Sequence, residues 1–315
     1  MIQEEMPARV IAEHRERYAV ICERGEAYAR VRPGAYRDAD TVQYPTVGDE
    51  VQLLYNQQGD SLIVGTRPRK SLFARKMPGP VPCAQAVAAN FDEVFILSSL
   101  NQEFTARRIE RYAALAWQSG GTPVVVLTKL DLVEDAEREI YEAGEAAPGT
   151  EVCAVSAYTG EGIDTLRARL TPGKTVVLLG SSGVGKSSLV NALAGEVLMA
   201  VAAIREDDAR GRHTTTHRQM LSLPCGAYVI DTPGMRELGL WDAEEGLREA
   251  FDDIDSLAAG CKFRNCAHMT EPGCAVKRAI EEGTLDAKRL KSYHKLQREA
   301  ARRVRRQGRQ GGTIL

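Results

Sequence analysis

The segment Gly180-Ser181-Ser182-Gly183-Val184-Gly185-Lys186-Ser187 carries the richest chemistry in this 315-residue chain. It fits G-x-x-x-x-G-K-[ST], follows the apolar run "KTVVLL" and opens the helix-forming "KSSLVNALAG", the context that a phosphate-binding loop requires. The glycines let backbone N–H groups turn inward around a phosphate, and the helix N-terminus adds partial positive charge. Lys186 is placed to reach the β- and γ-phosphates of a nucleoside triphosphate. The Ser187 hydroxyl would ligate Mg²⁺, and Ser188 extends the cradle. The loop alone does not choose between ATP and GTP.

The base is chosen elsewhere. Thr128-Lys129-Leu130-Asp131 ends the apolar strand "PVVVL" and matches the [NT]-K-x-D element that recognises guanine. Guanine offers N1–H and an exocyclic amine along one edge, and the Asp131 carboxylate accepts both. Adenine offers an acceptor at N1 and would be repelled. Lys129 lays its aliphatic stem along the base. Thr128 stands where asparagine is commoner, and its shorter hydroxyl is expected to contact the base or the phosphate loop weakly or through water. Ser156 and Ala157 end the next strand, where a backbone contact to the guanine O6 is expected.

Two further stretches handle the γ-phosphate. Asp231-Thr232-Pro233-Gly234 comes after the strand "AYVI". Asp231 suits Mg²⁺, usually through water, and the Gly234 N–H suits the γ-phosphate. "GRHTTTH", residues 211–217, occupies the place of a first switch loop, where Thr214 or Thr215 completes the Mg²⁺ shell, Thr215 being preferred. A glutamine that orients the attacking water often comes after the DxxG glycine. Here the position is Met235, whose thioether cannot hold a water. His213 or His217 would then position it, and His213 is the catalytic candidate because histidine is the usual acid–base residue at neutral pH.

The order of these motifs is guanine elements, phosphate loop, threonine switch, DTPG. The usual order begins with the phosphate loop, so the sequence reads as a circular permutation. Such a rearrangement preserves a site when the ends of a compact domain lie close together. The cut falls just after the second switch, so switch movement is expected to pass into the C-terminal segment.

That C-terminal segment contains "CKFRNCAHMTEPGC", with Cys261, Cys266, His268 and Cys274 as a candidate structural Zn²⁺ site. The remaining cysteines are scattered, and a thiol cluster of this kind in a reducing compartment indicates metal rather than disulfides. The small segment has few large apolar residues, so metal is expected to be needed for its folding.

The elements that must hold these groups fall into three segments. Residues 1–75 show short alternating runs ("ARVIAEHRERYAVICE", "DEVQLLYNQQGDSLIVGT") broken by Gly, Pro, Asn and Asp, which read as a small β-barrel or sandwich. "RPRKSLFARKMPGPVP" reads as an extended linker. Residues 76–240 alternate strands and helices, which implies an open, mostly parallel sheet with helices on both faces. Residues 241–315 read as a small helical domain that ends in a basic helix. Between Asp286 and Arg309 there are ten Lys/Arg and two acidic residues, a pattern suited to RNA phosphates. Net charge is -2 over the whole chain, so only this local distribution points to nucleic acid. No apolar run is long enough to span a bilayer. "MIQEEMPARV" lacks the form of a secretory signal, so a cytoplasmic protein is expected.

The β-rich start, the permuted motifs, "GRHTTT", "DTPG" and "CKFRNCAHMTEPGCAV" together resemble the ribosome small-subunit-dependent GTPase A (RsgA/YjeQ) family over nearly the whole chain. The resemblance implies an OB-fold N-terminal domain, zinc in the last domain, and binding to the small ribosomal subunit and its rRNA late in maturation. It also implies subunit-stimulated GTP hydrolysis, a hydrolytic role for His213 and a tolerated Thr128. A monomer is expected. The alternative is a GTP-dependent binding switch with negligible catalysis that handles a metal or another RNA.

Overall fold

The computed structural model describes residues 4–14, 17–37, 39, 41–76, 84–101, 104–200, 218–231, 252–263, 266–285, 287, 289–291 and 293–294. The catalytic and switch candidates His213, Thr214, Thr215, His217, Gly234 and Met235 lie outside the described residues, as does most of the basic C-terminal segment.

The first five strands are β1 (Glu4–Glu13), β2 (Tyr18–Cys22), β3 (Gly25–Val31), β4 (Glu50–Tyr55) and β5 (Ser61–Thr66). Strand β1 pairs with both β2 and β4, β2 with β3, β3 with β5 in parallel, and β5 with β4. The circuit 1-2-3-5-4-1 closes, so the five strands form an OB-like barrel without free edges. Met6, Ala8 and Val10 alternate inward from β1 and meet Val20, Val51, Leu53 and Ile63 in its core.

Strand β6 (Leu72–Lys76) pairs antiparallel with β7 (Ala84–Ala89). This corrects the linker expectation over Leu72–Lys76; the proline-rich remainder, residues 77–82, lies outside the described residues. Phe73 is buried and stacks on Phe91 at 4.7 Å, which recruits the segment into the neighbouring core. An aromatic pair of this kind contributes about 0.5–1.5 kcal/mol beyond its area.

The larger layer contains β8 (Glu93–Ser99), α1 (Ala106–Gln118), β9 (Thr122–Thr128), α2 (Glu137–Ala146), β10 (Glu151–Ala154), α3 (Ile163–Arg167), β11 (Thr175–Leu179), α4 (Lys186–Ala194), β12 (Gln219–Ser222) and β13 (Tyr228–Asp231). The strand order is β10-β9-β8-β11-β13-β12, parallel except for β12. Strands β8 and β11 are buried at every position, as expected of parallel strands covered on both faces. Helix α1 buries Ile109, Tyr112, Ala113 and Ala116, a 3.6-residue stripe, in one core together with Ala143 of α2. Helices α3 and α4 share the opposite core through Ile163, Leu166, Leu189, Val190 and Leu193.

The barrel is joined to this sheet at a seam. Ala12 of β1 pairs with Gln219 of β12. Arg9 donates to Asn90 O at 3.2 Å and to Thr175 Oγ1 at 2.7 Å, and lies over the Tyr228 ring at 5.1 Å. Gly48 has φ +92 and no room for a side chain, because a Cβ there would sit 2.0 Å from Ala89 O. Arg218 Nη1, just before β12, pairs with Glu13 Oε2 at 3.1 Å and donates to Ala86 O at 3.3 Å.

Beyond the sheet lie α5 (Asp252–Ala258) and α6 (Ala275–Glu281). Ile254, Val276, Ala279, Leu285, Leu290 and Tyr293 form their small core, with Trp117 of α1 packed against it. Arg289 lies over the Trp117 ring at 5.5 Å, so at least one cation of the basic segment faces a protein aromatic rather than open solvent. Among the described residues no helix is long and apolar enough to cross a membrane.

Candidate nucleotide site and metal centre

The nucleotide motifs sit at the carboxyl ends of neighbouring strands, where open α/β sheets place their ligands. Thr128 ends β9, Ala154 ends β10, Leu179 ends β11 and Asp231 ends β13. From β9 to β13 there are three strand intervals, about 14 Å at about 4.8 Å each. That span is comparable to the length of a nucleoside triphosphate. Spatial order, not chain order, sets this array, so the circular permutation leaves it intact.

Gly185 has φ 101 and caps α4, a left-handed conformation that glycine adopts without strain. The Lys186 ammonium donates to Gly180 O at 2.9 Å and Ser181 O at 2.7 Å, which places it across the mouth of the loop. The loop is also tied from the side. Thr128 Oγ1 donates to Val184 O at 2.6 Å, and both residues are buried. This corrects the expectation of a weak or water-mediated contact. The loop approaches β9 closely enough for the short hydroxyl to reach it directly; a Cβ on Gly185 would lie 3.8 Å from Thr128 Oγ1.

Lys129 has φ 64, an uncommon left-handed conformation for a residue with a side chain. It turns the chain from β9 into the short 3-10 turn Leu130–Leu132, secured by Leu130 N–H to Val155 O at 3.1 Å. The turn brings Asp131 beside Ser156, which is fully buried and whose Oγ donates to Asp131 Oδ1 at 2.5 Å. The same Ser156 oxygen accepts N–H bonds from Tyr158 at 3.2 Å and Thr159 at 3.1 Å. Beyond the backbone contact expected at Ser156, its hydroxyl therefore orients the Asp131 carboxylate. Motif spacing locates the serine but does not reveal that bond, which links residues 25 apart. Ala157 is the next residue in the turn. Asp231 is buried at the end of β13, in register with Leu178 of β11 just before the phosphate loop.

The thiol cluster comes together as the spacing implies. One ligand atom each from Cys261, Cys266, His268 and Cys274 lies within 4.8 Å of all the others. Cys261 Sγ is 3.6 Å from His268 Nδ1 and 3.9 Å from Cys274 Sγ, and His268 Nδ1 is 3.4 Å from Cys274 Sγ. Tetrahedral Zn²⁺ with Zn–S near 2.3 Å and Zn–N near 2.0 Å requires ligand separations of about 3.5–3.8 Å. The residues therefore fit zinc. The amides of Ala275 and Lys277 donate to Cys261 Sγ at 3.3 Å and Cys274 Sγ at 3.4 Å, which favours the thiolates that a metal needs.

Glu271 is a residue that the spacing does not single out. Its carboxylate accepts N–H bonds from Ala267 at 3.0 Å, Met269 at 2.9 Å and Thr270 at 3.0 Å, folding the loop that presents His268. These backbone bonds, with its own amide first among them, hold its carboxyl down at about 2.

Comparison with known proteins agrees with this geometry. The RsgA GTPase family model matches residues 66–241. A Lactiplantibacillus plantarum protein named small ribosomal subunit biogenesis GTPase RsgA 2 is 46% identical over 292 residues, covering 92% of this chain and 82% of that protein. Among solved structures, YjeQ from Thermotoga maritima is 29% identical with a TM-score of 0.61, covering 95% of this chain and 99% of that one. YloQ, described as a circularly permuted GTPase, is 25% identical with a TM-score of 0.57, covering 96% and 97%.

Proposed function

Because this chain belongs to the RsgA GTPase family, we propose that it binds GTP, hydrolyses it to GDP and phosphate, and serves small-ribosomal-subunit maturation in the cytoplasm by binding the subunit and its rRNA. The observation that carries the reading is the pairing of a guanine-selecting carboxylate, aimed by Ser156 at 2.5 Å, with a phosphate loop tied to the same strand end by Thr128 at 2.6 Å.

In this reading Asp131 accepts from guanine N1–H and the exocyclic amine, Lys129 covers the base, and Leu130 and Ala157 hold the turns around it. Amides of residues 180–188 donate to phosphate oxygens, and Lys186 neutralises the β- and γ-phosphates. Ser187 and Asp231, with Thr215, would hold Mg²⁺, which supplies charge neutralisation across the β- and γ-oxygens. Gly234 donates to the γ-phosphate. His213 orients a water whose oxygen bonds to the γ-phosphorus as the bond to the β-phosphate bridging oxygen breaks, releasing GDP. Cys261, Cys266, His268 and Cys274 would hold one structural Zn²⁺. Residues 1–75, 76–240 and 241–315 act as barrel, GTPase and zinc-binding units of a monomer, with strand β6 packed on the second of these.

The test is GTP turnover alone and with purified small ribosomal subunits, with ATP and large subunits as controls. Strong stimulation by small subunits only is expected. Unchanged slow turnover would overturn the subunit-coupled reading.

A further inference from the structure

A cleft of about 220 Å³ lies where the barrel, the Thr41–Gln43 turn and strand β7 meet, remote in sequence from every nucleotide motif. It is lined by Glu13, Tyr18, Thr41, Tyr44, Pro45 and Gln85, among others. Its aromatic wall is built, not incidental. Tyr44 stacks on Tyr36 at 5.1 Å with 30° between the rings, and Tyr36 is buried with its hydroxyl bonded to Thr66 Oγ1 at 2.6 Å. The backbone that carries Tyr44 is clamped by Arg69, which donates to Val42 O at 2.5 Å and Tyr44 O at 2.8 Å. The same guanidinium is held bidentately by the buried Asp49, with both contacts at 2.7 Å. Tyr44 nonetheless remains 39% exposed.

The polar groups around this ring are oriented as well. Gln85 Oε1 accepts from Arg75 Nε at 3.2 Å and Nη2 at 3.1 Å, which turns its amide NH₂ away as a donor. Glu13 supplies an acceptor. The Tyr18 hydroxyl, which burial pushes up to about 12, is protonated at neutral pH and offers a donor. Two cations contact lining residues: Arg75 through Gln85, and Arg218 through Glu13 and Ala86 O.

A ring face on the outer side of the two-tyrosine stack, donors and acceptors for a base edge, and a cation for a flanking phosphate are the requirements of single-stranded nucleic-acid recognition. We propose that this cleft takes one unpaired base of an RNA strand, stacked on Tyr44, with a flanking phosphate near Arg75. The inference rests on the RNA-partner reading above and adds the place and the chemistry of one contact. Glu13 in the cleft wall is paired with Arg218, which leads into β12 directly from the "GRHTTTH" segment. A base in the cleft therefore touches the link between barrel and first switch.

The experiment is ultraviolet cross-linking of the full chain to labelled oligo-A, oligo-C and oligo-U ribonucleotides. Cross-links are mapped by mass spectrometry, and affinities are read by fluorescence anisotropy. Cross-links at Tyr44 or Tyr18 are expected. Tyr44→Ala should remove them and weaken binding at least about fivefold, whereas Tyr44→Phe, which keeps the ring, should stay near wild type. Gln85→Ala provides a second variant, and thermal melting verifies the fold of each. Cross-links confined to other segments, or equal affinity for Tyr44→Ala, overturn the proposal. If Tyr44→Ala weakens small-subunit association but not oligonucleotide binding, the cleft receives a protein side chain and the RNA assignment is wrong. Absent stimulation of the wild type by small subunits would overturn the functional reading instead, while the oligonucleotide contrast still decides the cleft.

Discussion

Replacing Thr128 by valine removes one hydroxyl and little else. The side chains are nearly isosteric, Thr128 and Val184 are both buried, and the lost contact is the 2.6 Å bond to Val184 O. A methyl cannot approach a carbonyl oxygen closer than about 3.3 Å, so the phosphate loop must move out by roughly 0.7 Å or leave that oxygen without a partner. A buried acceptor stranded in this way costs about 1–2 kcal/mol, which corresponds to about 5–30-fold in an equilibrium constant. In the proposed reading the loop cradles the nucleotide, so the loss should fall on GDP and GTP affinity. Titration with a fluorescent GDP analogue reads it, and thermal melting checks that the fold persists. Thr128→Ser keeps the donor and should stay close to wild type. If Thr128→Val binds GDP as tightly as wild type, the bond does not pre-organise the loop and the reasoning fails.

Asp131→Asn turns an acceptor into a mixed donor–acceptor, so GTP affinity should fall sharply while xanthosine triphosphate, which presents a carbonyl in place of the amine, gains; competition between the two nucleotides reads the switch. Glu271→Ala removes three loop bonds around His268, and zinc should then leave to a chromophoric chelator faster at pH 7, where the wild-type carboxylate is fully ionised; equal release rates would show that the clamp is idle. Arg9→Met deletes the contacts to Asn90 O and Thr175 Oγ1 at the seam and should cost about 1.5–3 kcal/mol of stability in a denaturant titration, the range for hydrogen bonds to a charged group. Burial, helped by Glu151, pushes the Cys153 thiol up to about 11; its reactive thiolate appears only as pH approaches that value, so iodoacetamide at pH 8 should label exposed Cys225 and spare Cys153 by mass spectrometry.

The local motifs were legible because each encodes a local constraint. A glycine-rich turn between strand and helix, a carboxylate at a strand end and four soft ligands within a short loop are fixed by neighbours in the chain, and a parallel sheet is implied by alternating apolar runs. The zinc-type cluster is legible for the same reason, since Cys261 to Cys274 is a short loop. Even the permuted order could be read, because motifs keep their strand ends when the chain is cut elsewhere.

Tertiary structure decided what joins distant residues. Thr128 meets Val184 across 56 positions, and Arg9 meets Thr175 across 166. Neither has a spacing to detect, because each depends on how closely strands or domains approach. Phe73 turned an apparent linker into a strand by finding Phe91, since burial of a large ring outweighs the weak local bias of its basic and proline-rich neighbours. The barrel's closure is similar: alternation marks β3 and β5 as strands, but only the three-dimensional path makes them parallel neighbours. The chemistry of this chain is written in short segments, whereas the precision of that chemistry, such as an aspartate aimed by a serine or a loop held by a threonine, comes from long-range packing that brings those segments within bonding distance.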